Sequence, residues 1–265
     1  TQRHYDTFQF LLLARQVSSV IHYYIDMRKL AFIPTREEKE YPIKVFLEKA
    51  GWDVHLLIGE KSIFDAYTNA LKAHDVIAKD MVIMCHDNIQ VMTQPEMFND
   101  IIEKSLDGNT GFIGVAGPKK LNKTGCWWHG LGREFPHPDS FLRGAVWHGD
   151  STDECFPTYY GGYGKVEVLD GLFLAAKGGI LNSIQTKKPK DFVGDWDYYD
   201  MYYTYQAHLK GKSNKAVPIM ILHKSTGDGA MSEDWDGSRK AFVTMYGSKF
   251  EEIALPHQAQ LPKQA

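Results

Sequence analysis

The order of apolar runs and chain breakers predicts an α/β fold: one domain with a mostly parallel central sheet and helices on both faces. Three observations predict it. Apolar runs of strand length alternate with stretches of helical periodicity in the order β, α, β, α, β over residues 54–116. The run Met81–Cys85 is apolar throughout, as a strand buried on both faces reads. The polar triplet His86-Asp87-Asn88 closes that run, at the strand end where such sheets bind ligands.

The elements follow in chain order. Residues 8–13 and 20–25 are apolar, aromatic and β-branched runs of strand length, separated by Arg15-Gln16. Charged residues 36–40 and then Pro42 mark a loop. Residues 43–50 read as a short amphipathic helix ended by Gly51, and 54–58 as a buried strand. Ser62 is an N-cap, with Asp65 three positions on; Ile63, Ala66, Tyr67, Ala70 and Leu71 then recur at helical spacing. Residues 95–102 read as another helix and 111–116 as another central strand.

From 117 to 164 the chain is rich in Gly, Pro, Trp, His and Tyr, with little periodicity. That length predicts a functional excursion or lid rather than a passive connection. Strand character returns over 166–174, around Asp170-Gly171. Residues 198–209 read as a helix stopped by Gly211, and 216–222 as a strand ending at His223. The domain is expected to span 1–255, with a tail at 256–265.

Composition bounds the function. At 265 residues and 43% hydrophobic the chain can bury a sizeable core. A net charge of −3 argues against nucleic-acid binding as the main task. Three cysteines without a CxxC pair argue against a disulfide framework or structural zinc, and for a reducing compartment. No apolar run approaches the ~20 residues of a membrane span. Together these predict a cytoplasmic enzyme, in the host cytoplasm if virus-encoded.

Four ordered segments resemble a known family. They are Ser62-Ile63-Phe64-Asp65-Ala66-Tyr67, then Val82-Ile83-Met84-Cys85-His86-Asp87-Asn88, then Gly114-Val115-Ala116-Gly117 with Trp127-Trp128 and Val168-Leu169-Asp170-Gly171. The fourth is Tyr199-Asp200-Met201-Tyr202 with His223-Lys224-Ser225-Thr226-Gly227. The set is similar to GT-A fold glycosyltransferases, in the family-2-like group whose metal motif begins with His.

The resemblance implies a nucleotide-sugar donor, UDP by preference, a glycan acceptor, and Mn²⁺ or Mg²⁺ as cofactor. It assigns His86, Asp87, Asn88 and His223 to the metal. Asn88 departs from the family's Asp, because an amide carbonyl is a weaker, uncharged ligand, so Asp87 is an alternative source of the carboxylate. Asp200 is implied as general base, with Asp197 as the alternative and helix capping as the competing role for both. One carboxylate base implies inversion. Asp65, Tyr67, Asp87, Asp170, Gly171 and Ser225 are implied as donor contacts, although Asp-Gly is also a turn dipeptide. Trp127, Trp128, His129, Trp147, His148 and Trp196 are implied on the acceptor side, where flat rings cover sugar faces, with local packing as the competing role for the tryptophans. Two other functions compete. A sugar nucleotidyltransferase would need a Gly-rich basic loop after its first strand, and none follows 8–13 or 20–25. A non-catalytic carbohydrate-binding protein of the same fold would explain Asn88, and Tyr202 at the family's second acidic position.

Overall fold

The structure is a computed structural model and describes residues 27–128, 141–225 and 232–250. The runs 8–13 and 20–25 and the tail 256–265 lie outside the described residues.

The main sheet has seven strands in the order β2-β1-β3-β10-β5-β11-β9. These are β1 (Lys29–Thr35), β2 (Asp53–Ile58), β3 (Met81–Cys85), β5 (Thr110–Gly114), β9 (Gly164–Val166), β10 (Phe173–Lys177) and β11 (Ser213–Ala216). β1 runs parallel to β2 and β3, β10 runs antiparallel to β3 and β5, β11 is parallel to β5, and β9 is antiparallel to β11. Five strands therefore share one direction, and the sheet is mostly parallel as expected. A smaller sheet, in the order β4-β12-β7-β6, is built from β4 (Ile89–Val91), β6 (Ala116–Pro118), β7 (Leu142–His148) and β12 (Ile221–His223), with β8 (Phe156–Gly161) on β7.

The helices are α1 (Pro42–Lys49), α2 (Ile63–Ala73), α3 (Pro95–Ser105), the short α4 (Gly178–Leu181), α5 (Tyr199–Leu209) and α6 (Glu233–Tyr246). α2 begins as its sequence predicts: the Ser62 side chain accepts from Asp65 N at 3.0 Å. Leaving that donor unsatisfied would cost ~1 kcal/mol. α1 and α3 both begin at a proline, whose missing N–H costs nothing in a first turn. Every residue of β3 is buried, as its unbroken apolar run requires.

Four expectations are corrected. The stretch 117–164 is not irregular throughout, because it contains β7 and β8. Their sequences, LRGAVWH and FPTYYG, mix glycine and aromatics instead of alternating. Gly144 shows why glycine is needed there: it has φ +98°, and a Cβ would lie 1.8 Å from the Val115 carbonyl oxygen. The run 166–174 is not one strand. It breaks between β9 and β10, and Asp170-Gly171 lies in the break. The run 216–222 also splits, between β11 and β12 on different sheets; Pro218, with no N–H to pair, sits at the crossing. Likewise 111–116 divides between β5 and β6. β1 and α6 were not read from the sequence at all.

The topology brings distant segments to one edge. Phe173, at the start of β10, pairs with Cys85 at the end of β3. Residues just before β10 therefore lie beside residues just after β3. β12 and β7 end there too, with His223 and His148 as register partners.

Candidate active site

At this edge His86 follows β3, Asp170-Gly171 precede β10, and α5 points its first turn at both. The start of α5 is shaped by Tyr198, which holds φ +66°, a conformation a bulky residue rarely adopts. Its ring is braced by Trp235 and Phe242, and its hydroxyl donates to Gly125 O. The next two residues then clamp a single glycine. Tyr199 Oη donates to Gly171 O at 2.7 Å, and Gly171 N donates to Asp200 Oδ2 at 2.8 Å.

Asp200 also accepts from Met201 N through Oδ1 at 2.8 Å. Burial pushes its carboxyl up, the neighbouring Asp170 charge pushes the same way, and the three backbone N–H groups around it only partly oppose them; the result is about 7. Asp170 is raised as well, by burial first, against the pull of the Leu172 N–H and of His148. A carboxyl raised by burial and by a neighbouring carboxylate is the arrangement that keeps a base working near neutral pH. Asp197 stands elsewhere: it is raised by burial and then by Asp234, at the α6 side.

Of the expected metal ligands, His86 and His223 face each other with ring centroids 5.9 Å apart. Burial lowers the pKa of both, His86 to about 4 with His223 adding to the effect. Both are therefore neutral at pH 7, the form that can offer a lone pair to a cation. His223 Nδ1 lies 3.0 Å from Ser225 Oγ, so Ser225 meets the site through His223. Asp87 is half-buried beside this pair in sequence. Asn88 is exposed, and its side-chain amide donates to Lys224 O at 3.4 Å. Among the described residues no three His, Cys, Asp or Glu side chains are placed to hold an ion by themselves. The two imidazoles are the groups at this edge that could offer a lone pair to a cation.

The remaining expectations separate. Asp65 is exposed at the start of α2. Tyr67 is wholly buried, with its ring 5.7 Å from that of Tyr199, so it stands behind the site and not at its face. Trp127 is also buried and packs edge-on against Trp128 and Tyr160, a local core. Trp128 continues that cluster to Trp235. Trp196, by contrast, is 46% exposed. His129, Thr226 and Gly227 lie outside the described residues. Two further residues stand at this edge in places the sequence does not give. His148, 6.0 Å from His223 between ring centroids, belongs to a strand that did not read as one. Tyr199 reads from the sequence only as the residue before Asp200 in its segment.

The sequence model of the glycosyltransferase-like family matches residues 47–246. The chain belongs to this family. Glycosyltransferase-like members carry a general glycosyl-transfer function, with a nucleotide-sugar donor and a glycan acceptor. The match spans every residue of the edge described above. Among solved structures the glycosyltransferase-like chain is similar to one titled "Crystal Structure of A197 from STIV", at 17% identity and a TM-score of 0.43, covering 79% of this chain and 92% of that one. No curated protein sequence matches it. Among the described residues no helix is long and apolar enough to cross a membrane.

Proposed function

We propose that the protein transfers a sugar from a nucleoside-diphosphate sugar, preferentially a UDP-sugar, to a hydroxyl of a glycan acceptor, in one inverting displacement. The observation that carries this reading is Asp200, a carboxylate oriented by two backbone N–H groups and poised at about 7 by burial and Asp170. The acceptor oxygen attacks the anomeric carbon, the bond from that carbon to the diphosphate oxygen breaks, and the acceptor proton passes to Asp200. A base with a pKa near the working pH suits this task. Asp170 keeps Asp200 basic and, with the Gly171 peptide, lines the donor side. The exposed face of Trp196 suits an acceptor sugar ring.

Mn²⁺ or Mg²⁺ bound with the donor would offset the charge developing on the leaving diphosphate. His86 and His223, as neutral imidazoles, with Asp87 and the Asn88 amide, are the residues that would hold it.

Incubation with UDP- and GDP-sugars, with and without Mn²⁺ and candidate acceptors, tests the reading by nucleoside diphosphate release. Release stimulated by acceptor, strongest with a UDP-sugar, is expected. Pyrophosphate formation from a nucleoside triphosphate and a sugar phosphate would point to nucleotidyl transfer. Donor binding without turnover would leave a carbohydrate-binding protein.

A further inference from the structure

Tyr199 has one hydroxyl proton and three polar neighbours, of which the Tyr67 hydroxyl can itself donate to Tyr199 and so does not need that proton. Gly171 O lies 2.7 Å from its Oη, and His86 Nε2 lies 3.2 Å from it. A carbonyl oxygen can only accept, so the phenol proton goes to Gly171. Tyr199 Oη therefore meets His86 with its lone pairs. A bare Nε2 in that position would set lone pair against lone pair, so Nε2 must carry the hydrogen and donate. The arrangement is rigid. Tyr199 is buried, and its ring rests on those of Tyr67 and Tyr203, at 5.7 and 6.0 Å. His86 is fixed from its backbone as well, because its N–H donates to Leu172 O at 3.1 Å.

We infer that Tyr199 is a positioning residue that holds His86 in the Nε2–H tautomer, so that the Nδ1 lone pair is the one left to take an electron-poor partner. An anionic diphosphate oxygen would be repelled by that lone pair, and a divalent cation would be attracted. The tautomer follows from the hydrogen bonds alone; the cation as partner rests on the reading under Proposed function. The Gly171 peptide thus links both halves of the site. Its carbonyl sets the imidazole tautomer through Tyr199, and its N–H orients the Asp200 carboxylate.

The test is nitrogen NMR on the full chain with ¹⁵N-labelled histidine, free of metal at neutral pH, with the His86 signals assigned by their loss in His86→Gln. A protonated-type Nε2 and a bare-type Nδ1 are expected. Tyr199→Phe should move both towards the averaged values of an imidazole exchanging between tautomers. Tyr203→Phe, which removes a hydroxyl that donates to Thr186 O and not to the Tyr199–His86 pair, should leave them in place. A protonated Nδ1 in the unaltered protein would overturn the inference, whether or not Tyr199→Phe folds. So would an unchanged Nε2–H pattern in folded Tyr199→Phe. Mn²⁺ affinity, titrated without donor, should fall about tenfold in Tyr199→Phe, as for loss of a partner that orients a ligand. No Mn²⁺ uptake by the unaltered protein, with the Nε2–H pattern intact, would uphold the tautomer and remove the cation from the proposed function.

Discussion

Asp200→Asn is expected to lower the rate of sugar transfer about 10²- to 10⁴-fold, the range for loss of a positioned general base, with donor affinity little changed. The substitution keeps the shape of the side chain and one acceptor oxygen for the two N–H groups that now hold the carboxylate, those of Gly171 and Met201. It removes the capacity to take a proton. Steady-state kinetics with nucleoside diphosphate release, beside donor titration of the same variant, checks it. A rate within a few-fold of the unaltered protein would take Asp200 out of the chemistry, and the same substitution at Asp197 would then be the next to measure.

Gly171→Ala carries the second largest effect, for a steric reason. Gly171 is not in the left-handed region, so its backbone would accept alanine. Space is what is missing: a Cβ would lie 2.5 Å from Tyr199 Oη, 2.7 Å from its Cζ and 2.9 Å from Asp200 Cβ. Tyr199 cannot swing aside, because it is buried among other rings. The start of α5 must therefore move, carrying both Asp200 and the His86 partner with it. Overpacking of this kind costs about 1–3 kcal/mol, and misplacement of a reacting group by ~1 Å costs about 10²-fold in rate. Denaturant unfolding and turnover on the same preparation should show both losses. Full activity in Gly171→Ala would contradict the clamp.

Much of this site was legible before the fold was known. His86, Asp170, Asp200 and His223 each lie beside a short apolar run or a helix start, and the antiparallel pairing of β10 with β3 carries such ends to a common edge. The Ser62 cap and the buried strand Met81–Cys85 were legible for the same reason: their signals are local. What was hidden depended on tertiary partners. β7 and β8 escaped because glycines and aromatics, placed where backbones meet closely, erase the alternation by which a strand is read. The pairing of His148 with His223 was hidden with them. Tyr199 is legible only as a member of the segment that carries Asp200; its contacts exist only because Gly171 and His86 arrive from elsewhere. Tyr67 and Trp127 err in the opposite direction, aromatics that suggest a ligand and turn out to be packing. α6 could have been found. Ser232 caps it by accepting from Trp235 N, and Glu233, Asp234 and Asp236 fill its first turn.

The central claim is that Asp170 and Asp200 together supply a base that works near neutral pH. The pH dependence of kcat/KM for transfer, in the unaltered protein and in Asp170→Asn, tests it most directly. Transfer needs Asp200 ionised, so the rate should climb with pH through about 7. Asp170→Asn removes a neighbouring negative charge, which makes Asp200 easier to ionise, so the climb should move to lower pH. A profile flat through neutrality in the unaltered protein, or one that Asp170→Asn leaves where it was, would contradict the account.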